Sequence, residues 1–411
     1  MIQWNEQQQM IRTMVRGFVE KEIVPQLDAI EYEGVPPYDL LRKMIRTFGM
    51  DVLATEQFKR QIAREQSGNE AGEHAESKQH DPAAAAEQAA MRMIPIIELC
   101  RHAQGLVTAM GVSMGLAGGA IMSKGTLAQK QRWALPLLTL EKIGAWAISE
   151  PDAGSDAFGQ MHTLARRDGQ GGYLINGSKT WTTNGPYADT IILICKLDED
   201  GVAPAQRKIV AFILDAGMSG LTQSKPFQKM GIGSSPTGEL FLSDVQAGPE
   251  RLLGESEEAY GRSGAKGTFM QERAGIAAMA LGMVERAQEL SVQYARDRVQ
   301  FGQPIGANQL IQLKLAKMEV ARMNLQNMVF RYIELVGAGQ QMSLAEASAM
   351  KLYAAQAAME VATEAVQIHG GYGYMRESRV EQLMRDAKIL QIYAGTDEMQ
   401  VLAIARDLLN R

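Results

Sequence analysis

Three acidic residues in the C-terminal half of the chain have the chemistry for proton transfer. Glu272 directly precedes Arg273, and Asp397 and Glu398 follow Thr396. A positioned carboxylate can take or give a proton in general acid–base catalysis. The latter two acids are explained equally well as first-turn residues of a helix that Thr396 caps, because the helix dipole favours negative charge there. Taken by itself, Glu272 is an ordinary helix glutamate, so residue type alone does not select a base.

Several catalytic motifs are absent from the sequence. Gly231-Ile232-Gly233 comes nearest to a dinucleotide fingerprint, but the next glycine is Gly238, at the wrong spacing. Neither a GxxxxGKS/T phosphate loop, a paired-cysteine motif nor a His-Glu-x-x-His motif occurs. Gly111-Val112-Ser113-Met114-Gly115 has the GxSxG spacing, but it lies inside a predicted helical block and not at the strand-to-helix turn that a nucleophile elbow needs. His369, within Gln-Ile-His-Gly-Gly, is predicted to be structural. Rossmann, P-loop, hydrolase and metal chemistry are therefore not supported.

Bulk composition favours an acidic multidomain protein. The chain has 411 residues, 46% of them hydrophobic, which is enough for two or three domains. Its net charge of −5 gives no indication of nucleic-acid binding. Cys100 and Cys195 are the only cysteines, so a reducing compartment is expected. The N-terminus does not resemble a secretory signal, and we find no run of about 18 apolar residues, which together predict a cytoplasmic protein.

Two helical blocks with a polar segment between them are predicted in the N-terminal part. Residues 1–58 and 91–140 carry apolar residues at helical spacing. Residues 66–90 contain no Val, Ile, Leu, Met, Phe, Tyr or Trp. Such a stretch buries too little apolar surface to order itself, so we expect a mobile insertion or solvated loop. His74 and His80 could bind a metal there, but solvation explains them more simply.

The pattern changes to β from about residue 144 to residue 244. Asp168-Gly169 and Gly171-Gly172 indicate turns, and Asn176-Gly177 predicts a hairpin because both turn positions need positive φ. Further strands are predicted at residues 190–196, 209–214 and 239–242.

Long helices are predicted again from about residue 267. They cover residues 271–297 and 310–336, and a third begins with a capping box at Ser343 and continues to about residue 367. Short connections between long helices favour antiparallel packing, as in a four-helix bundle. Pattern alone therefore predicts the order α, β, α.

Four segments give these elements a family resemblance. In chain order they are residues 146–156, 175–185, 294–305 and 367–400. In order and spacing they resemble the acyl-CoA dehydrogenase family, and the resemblance covers about residues 90–411. One such segment would be a weak signal, but four in register identify the fold.

The resemblance implies an α+β multidomain fold with three parts. These are an N-terminal all-α domain over residues 1–140, which includes the 66–90 insertion, a middle β-barrel or sandwich domain over residues 141–250, and a C-terminal four-helix bundle over residues 251–411. The family holds FAD between the β domain and the bundle, so FAD is the expected cofactor.

The resemblance also implies which residues contact FAD. On the β domain they are Trp146, Ile148, Ser149, Ser155, Trp181, Thr182 and Thr183. An indole suits stacking on the isoalloxazine, and hydroxyl or backbone donors near its N5 and O4 stabilise negative charge. The residues that would grip the FAD of a neighbouring subunit are Arg298, Phe301, Gln309, Gln367, Gly370 and Gly371, with Thr396 and Glu398 beside the flavin. A homotetramer built as a dimer of dimers is therefore implied.

The resemblance predicts the catalytic base from two positions, 272 and 394, one of which carries the glutamate when the other does not. Where the family commonly has its glutamate, before Gly395-Thr396, this chain has Ala394, which retains only the backbone N–H that donates to the thioester oxygen. Isovaleryl-CoA and long-chain acyl-CoA dehydrogenases carry the glutamate before an arginine on the adjacent helix, as Glu272 precedes Arg273 here. The resemblance thus predicts Glu272 as the catalytic base. It predicts substrate contacts at Ser155, Arg273, Ala394, Gly395 and Arg406, whereas Met270 stands where relatives often have an acid near the CoA.

The expected function is FAD-dependent dehydrogenation of a saturated acyl-CoA to a trans-2-enoyl-CoA, in fatty-acid metabolism such as β-oxidation. An electron-transfer flavoprotein is the expected electron acceptor. The alternatives are an acyl-CoA oxidase or flavin monooxygenase on the same fold, or a catalytically silent acyl-CoA-binding protein.

Overall fold

The computed structural model describes residues 3–67 and 81–410, and in the helix that starts at Gly261 it leaves out the side chains at 262, 263, 265–271 and 274. The predictions about His74, His80 and Met270 therefore lie outside the described residues.

Short helices form the N-terminal part. Their bounds are α1 Glu6–Phe18, α2 Leu27–Glu31, α3 Tyr38–Thr47, α4 Met50–Gln66, α5 Pro82–Cys100, α6 Gln104–Met110, α7 Gly119–Lys124, α8 Leu127–Gln129 and α9 Leu135–Leu138. π-helical turns lie at Val19–Ile23, Gly111–Gly118 and Lys130–Ala134. Asn5 starts α1 with a capping box, because its side chain accepts from the backbone N–H of Gln8.

The prediction of a solvated segment is wrong for residues 82–90. They form the first turns of α5, and Ala89 and Ala90 are fully buried. The Asp81 side chain caps the helix and Pro82 occupies its first turn. Alanine has the highest helix propensity and a small apolar surface, so a stretch without large apolar residues still packs.

A mixed sheet forms the middle of the chain. Its strands are β1 Gly144–Ala147, β2 Leu164–Arg167, β3 Tyr173–Thr183, β4 Thr190–Leu197, β5 Ile209–Asp215, β6 Leu221–Gln223 and β7 Thr237–Ala247, with the short helix α10 at Ala157–Gln160. Among the described residues the strand order is β1-β4-β2-β3-β7-β6, and β5 pairs with β4. β4 is parallel to β1 and β2 and is buried along its whole length, because its two faces pack into two separate apolar clusters.

The predicted hairpin at Asn176-Gly177 is wrong, because both residues lie inside the continuous strand β3. Gly177 has φ +147° at a shift in the register between β3 and β7, which is a bulge. A Cβ on Gly177 would lie 2.5 Å from Thr163 Oγ1, so close approach also requires the glycine. The hairpin lies earlier, between β2 and β3, where Gly169 and Gly171 have positive φ.

Long helices form the C-terminal part. They are α11 Gly261–Asp297, α12 Gln309–Gly337, α13 Leu344–His369, α14 Val380–Leu390 and α15 Asp397–Leu409, and a small ribbon of β8 Val299–Gln300 and β9 Gln303–Pro304 joins α11 to α12. The predicted capping box at Ser343 is confirmed. Helix α11 packs against α12, α13 and the N-terminal helix α5, so one apolar core continues from the first part into the last. The predicted order of helical, β and helical parts is confirmed.

One stretch among the described residues has the length and hydropathy of a membrane span, although it is interrupted by polar residues. Gln104–Lys124 has 21 residues and a mean hydropathy of 1.6 over its best window, of which 61% is buried inside the protein. A buried core helix rich in alanine and glycine has the same composition, so a single such stretch is a weak indication of a membrane.

Candidate active site

Glu272 is the carboxylate whose environment is best suited to proton transfer. It lies on α11 and is partly buried. Burial raises the pKa of Glu272 from its ordinary 4.5 to about 7, because the ionised form loses hydration, and the charges of Arg273 and Lys351 oppose this rise. A carboxyl with a pKa near the operating pH can accept a proton and give it up again.

A strained turn lies opposite this helix. Ala394 has φ +54° and Gly395 has φ +87°, both in the left-handed region. That region costs about 1–2 kcal/mol for a non-glycine residue, so surrounding contacts must hold Ala394 there. The fully buried Gln400 does so, because its Nε2 donates to Gly395 O at 2.7 Å and to Ala394 O at 3.3 Å.

Arg273 joins the helix to the turn. Its Nε donates to Ala394 O at 3.4 Å and its Nη1 to Ser348 Oγ at 3.0 Å. The side chain is 9% exposed, and burial lowers its pKa. Arg273 therefore links the turn at Ala394 to helix α11 at the residue after Glu272, although 122 positions separate 272 from 394 in the sequence.

Two segments predicted from the β domain meet in space. The Thr180 N–H donates to Ser149 O at 2.9 Å. Lys179 Nζ, which is fully buried, donates to Ile148 O at 3.0 Å and to Glu150 Oε1 at 2.8 Å. Glu150 in turn accepts from the backbone N–H groups of residues 162 and 163. This buried ion pair holds the 148–150 loop against β3.

Glu150 and Lys179 each oppose the effect of burial on the pKa of the other. Burial alone would raise the pKa of Glu150, but Lys179 and the hydrogen bonds to Glu150 lower it below its ordinary value. Burial lowers the pKa of Lys179, and Glu150 counteracts that effect. Either group alone would be an uncompensated buried charge.

The three residues at 181–183 do not share one face of β3. Trp181 is 65% exposed, with φ +57° at a second register shift. Its ring lies beside Phe227, with 5.1 Å between centroids. Thr183 is partly exposed, whereas Thr182 is buried and its Oγ1 has no partner among the described residues. The prediction that Thr182 contacts FAD therefore has less support than those for its two neighbours.

Other predicted contacts on the β domain differ in exposure. The Trp146 and Ile148 side chains are buried in the apolar cluster, and Trp146 Nε1 donates to Tyr260 OH at 3.1 Å. Ser149 is partly exposed and Ser155 is exposed. At positions 146 and 148 a ligand contact would thus have to come from the backbone, because both side chains are buried, whereas Ser149 and Ser155 can use their side chains.

A cleft of about 490 Å³ lies at the end of α11 and α13. Arg298, Gly370 and Gly371 line it, together with His369 and Tyr294. The rings of these last two stack, with centroids 4.4 Å apart. A Cβ on either glycine would meet nothing within 4 Å, so the cleft wall is open there. Phe301, Gln309 and Gln367 are exposed but do not line this cleft.

The structure separates Arg406 from the other predicted substrate contacts. Thr396 caps α15 as predicted, since its side chain accepts from Met399 N. Glu398 is exposed in the first turn, and Arg406 is exposed in the last. At 1.5 Å per residue, Arg406 lies about 15 Å along the helix from Thr396.

Several residues that hold the site were not found from sequence. They are Lys351, Ser348, Gln400, Lys179 and Glu150. The one usable signal was Lys351, a lone lysine in the alanine-rich α13. A cation in such a stretch is either exposed or paired inside the protein.

The raised pKa of Glu272 predicts that this residue destabilises the fold at neutral pH. Well below pH 4.5, Glu272 is protonated in both the folded and the unfolded chain, and at pH 4.5 only half of the unfolded chains have released the proton. Between about pH 4.5 and 7 only the unfolded chain releases the proton, so stability is lost as pH rises, by up to about 3 kcal/mol. We expect Glu272→Gln to raise the free energy of unfolding above pH 7 and to have little effect at pH 4.5, as measured by denaturant unfolding across pH.

A control in the same bundle should behave oppositely. Arg322 lowers the pKa of Glu319 to about 2, so Glu319→Gln should lose stability at pH 7. An identical effect of Glu272→Gln at pH 4.5 and pH 8 would contradict the prediction.

Family descriptions match most of the chain. "Acyl-CoA dehydrogenase, N-terminal domain" matches residues 5–59, the corresponding middle domain residues 145–245, and the corresponding C-terminal domain residues 260–409.

Curated relatives are similar over much or nearly all of the chain. A short-chain specific acyl-CoA dehydrogenase of Megasphaera elsdenii is 39% identical over 77% of this chain and 81% of its own length. A 3-(aryl)acrylate reductase of Clostridium sporogenes is 33% identical over 99% of both chains. The caffeyl-CoA reductase-Etf complex subunit CarC of Acetobacterium woodii is 32% identical over 99% of this chain and 100% of its own.

Solved structures agree with these matches. Butyryl-CoA dehydrogenase from Megasphaera elsdenii superposes with a TM-score of 0.81 at 34% identity, covering 99% of both chains. An acyl-CoA dehydrogenase complexed with FAD from Bacillus anthracis has a TM-score of 0.77 at 27% identity, covering 99% of this chain and 68% of that one.

Proposed function

The chain belongs to the acyl-CoA dehydrogenase family, and from that premise we propose that it dehydrogenates a saturated acyl-CoA to a trans-2-enoyl-CoA with FAD as cofactor and Glu272 as base. One observation carries the assignment of the base. Glu272 combines a pKa of about 7 with a position one residue from Arg273, which binds the carbonyl of Ala394.

The residues of the chain fit FAD. Trp181 presents an exposed indole beside the 148–150 loop, which suits stacking on a flat ring. At the cleft at the end of α11 and α13, Arg298 suits a pyrophosphate, and the missing side chains of Gly370 and Gly371 allow close backbone approach. Because that cleft is open at the surface, we propose that it takes the FAD of a neighbouring subunit in a homotetramer. Retention of FAD should then weaken on dilution to monomers.

The chain itself supplies the proton-transfer half of the reaction. Glu272 takes the α-proton onto a carboxylate oxygen, and the electron pair of that C–H bond enters the new C=C bond. The residues proposed to hold FAD, Trp181 and the 148–150 loop among them, would place it to supply the acceptor for the hydride that leaves the β-carbon. The Ala394 N–H donates to the thioester oxygen, which gains negative charge as the proton leaves. Arg273 and Gln400 hold the turn that presents this donor.

The partners and location follow from the same proposal. An electron-transfer flavoprotein is the proposed acceptor, supported by the relative that is a subunit of an Etf complex. A cytoplasmic location is supported by two buried free thiols, Cys100 and Cys195. We propose domains at residues 1–140, 141–250 and 251–411, as the resemblance implies.

The test is anaerobic mixing of the purified flavoprotein with saturated acyl-CoAs while flavin absorbance is followed. The panel runs from butyryl-CoA to palmitoyl-CoA and includes isovaleryl-CoA and isobutyryl-CoA. Rapid bleaching by one subset is expected, and it identifies the acyl class. Absence of bleaching in a protein that retains FAD would contradict dehydrogenation and favour a silent binding protein. Oxygen uptake with peroxide formation during turnover would favour an oxidase or monooxygenase.

A second candidate is the reverse reaction, because two relatives are named as reductases. The same residues serve it, since Glu272 would then return a proton to the α-carbon. Mixing the photoreduced protein with 2-enoyl-CoAs measures this direction, and the ratio of the two rates decides between the candidates.

A further inference from the structure

Lys351 is a buried cation with no role in the proton-transfer steps described above. It lies in the first third of α13, its side chain is fully buried, and its Nζ donates to Asp397 Oδ1 at 3.1 Å. Burying an ammonium is costly unless it is paired, so a lysine at this position needs its partner. The partner is the first residue of α15, directly after the turn that carries Ala394.

Asp397 is itself fixed by more than Lys351. Its backbone N–H donates to Gln391 O at 3.0 Å, and its Oδ2 accepts from Gln391 Nε2 at 3.3 Å. The turn between these two residues is thereby closed at its base. Lys351 attaches this closed turn to α13.

Helix α13 contacts both sides of the site through residues one turn apart. Ser348 accepts a hydrogen bond from Arg273, and Lys351 donates to Asp397. Residues at i and i+3 lie on the same face of a helix. This face of α13 therefore supports the arginine next to Glu272 and also the turn that carries the Ala394 N–H.

We propose that Lys351 is a positioning residue for proton transfer, which holds the 394–397 turn through Asp397 and places a positive charge near Glu272. This inference rests on the proposed role of Glu272 as the base. Lys351 does not touch the reacting atoms in this scheme, because it acts through Glu272 and through the turn.

Titratable groups from three elements interact with Glu272. Arg273 comes from its own helix, Lys351 from α13, and the neutral Tyr393 from the turn, whereas Asp397 interacts with Lys351. The two cations favour the ionised form of Glu272, against the effect of burial. Arg273 is committed to Ser348 and Ala394 O, so removing Lys351 leaves one cation against the full cost of burying the carboxylate.

The decisive experiment is the pH profile of flavin reduction in Lys351→Met, using the acyl-CoA that bleaches the parent fastest. We expect the midpoint to rise by about one pH unit, since loss of a nearby opposite charge raises a carboxyl pKa by that order. A midpoint moved from about 7 to about 8 lowers the rate at pH 7 about five-fold relative to the rate at pH 9.5, and any loss of turn geometry lowers both rates by the same factor. Lys351→Arg should restore the parental midpoint.

A matched control removes another lysine that pairs with an acid at an α13 contact. Lys314 on α12 pairs with Glu364 on α13, away from the site, so Lys314→Met should leave the midpoint unchanged. A purely structural role for Lys351 would lower the rate equally at all pH values without moving the midpoint, and that result would overturn the inference.

Asp397→Asn provides an independent test of the role of Lys351 if Lys351→Met fails to fold. It removes the partner that keeps the buried Lys351 protonated, so the pKa of Lys351 falls and the midpoint should move up, as in Lys351→Met. A downward or unchanged midpoint in this variant would overturn the inference.

The Glu272→Gln background separates this inference from the proposed function. If Lys351 acts through Glu272, Lys351→Met should have no further pH-dependent effect in that background. Fast flavin reduction by Glu272→Gln alone would refute Glu272 as the base. Slow reduction by Glu272→Gln with an unshifted midpoint in Lys351→Met would refute only the role of Lys351.

Discussion

Flavin reduction by acyl-CoA is expected to slow by about 10³-fold in Glu272→Gln, while FAD and acyl-CoA remain bound. The amide has the shape of the carboxylate but cannot take a proton, so the α-proton loses its acceptor. The pKa of about 7 makes Glu272 a carboxyl that is both ionised in a large fraction of molecules and basic enough to remove a proton. Burial raises the pKa of Asp386 to about 7 as well, but Asp386 accepts from the backbone N–H of Ile232 and lies on α14, away from the turn at Ala394. Anaerobic stopped-flow absorbance measures the rate, and spectral perturbation of the oxidised flavin measures ligand binding.

Glu398→Gln is the matched control for this prediction. Glu398 is the competing acid near the turn, but it is exposed, and hydrogen bonds at the N-terminus of α15 lower its pKa. Glu398→Gln should therefore slow flavin reduction far less than Glu272→Gln does, once both variants are loaded with FAD. A slow Glu398→Gln together with a fast Glu272→Gln would transfer the role of base to α15.

The double variant Glu272→Ala with Ala394→Glu tests the geometry of the exchange. Arg273 places both positions at one site, and Ala394 already accommodates a Cβ at positive φ. A glutamate at 394 should therefore recover part of the rate that Glu272→Ala loses. No recovery in a folded, FAD-loaded double variant would show that the two positions do not reach the same proton.

Loss of the buried cation in Lys179→Met is expected to lower the free energy of unfolding by about 3–5 kcal/mol and to release FAD. The variant leaves Glu150 ionised, buried and without its cation, and it frees the carbonyl of Ile148. The 148–150 loop, which is predicted to contact the flavin, then loses its attachment to β3. Thermal unfolding and the flavin content after gel filtration measure both effects.

Two comparison variants separate charge from shape. Glu150→Gln combined with Lys179→Met removes both charges, so it should be more stable than Lys179→Met alone. Lys208→Met breaks the exposed pair of Lys208 with Glu258 in the same part of the chain and should have no measurable effect. Equal stability of Lys179→Met and the parent protein would refute the role given to this pair.

Much of the fold could be predicted because its signals are local. Ser343 starts α13 with the predicted capping box, and Thr396 caps α15 as predicted. Both depend on a side chain that bonds a backbone group three residues away, which spacing along the chain defines. The strands at 190–196 and 209–214 lie within β4 and β5 because their apolar runs are continuous.

Other features of the fold were mispredicted because local signals are ambiguous. Asn176-Gly177 has the composition of a hairpin turn, but Thr163 packs against Gly177 and β7 continues past it, so the same residues form a bulge. Residues 82–90 lack large apolar side chains, but helix α5 docks on α11 and α12 and thereby buries its alanines. In both cases the partner comes from a distant part of the chain.

The sequence by itself determined the family and the cofactor, and it predicted the paired exchange of Ala394 with Glu272, because these depend only on residue identity and order. Tertiary structure decided which groups act on that glutamate. The pKa of Glu272 depends on burial and on the charges of Arg273 and Lys351, and the turn at Ala394 depends on the buried Gln400. Burial and Coulomb interactions depend on distance in space, and α13 approaches Glu272 only after the chain has folded.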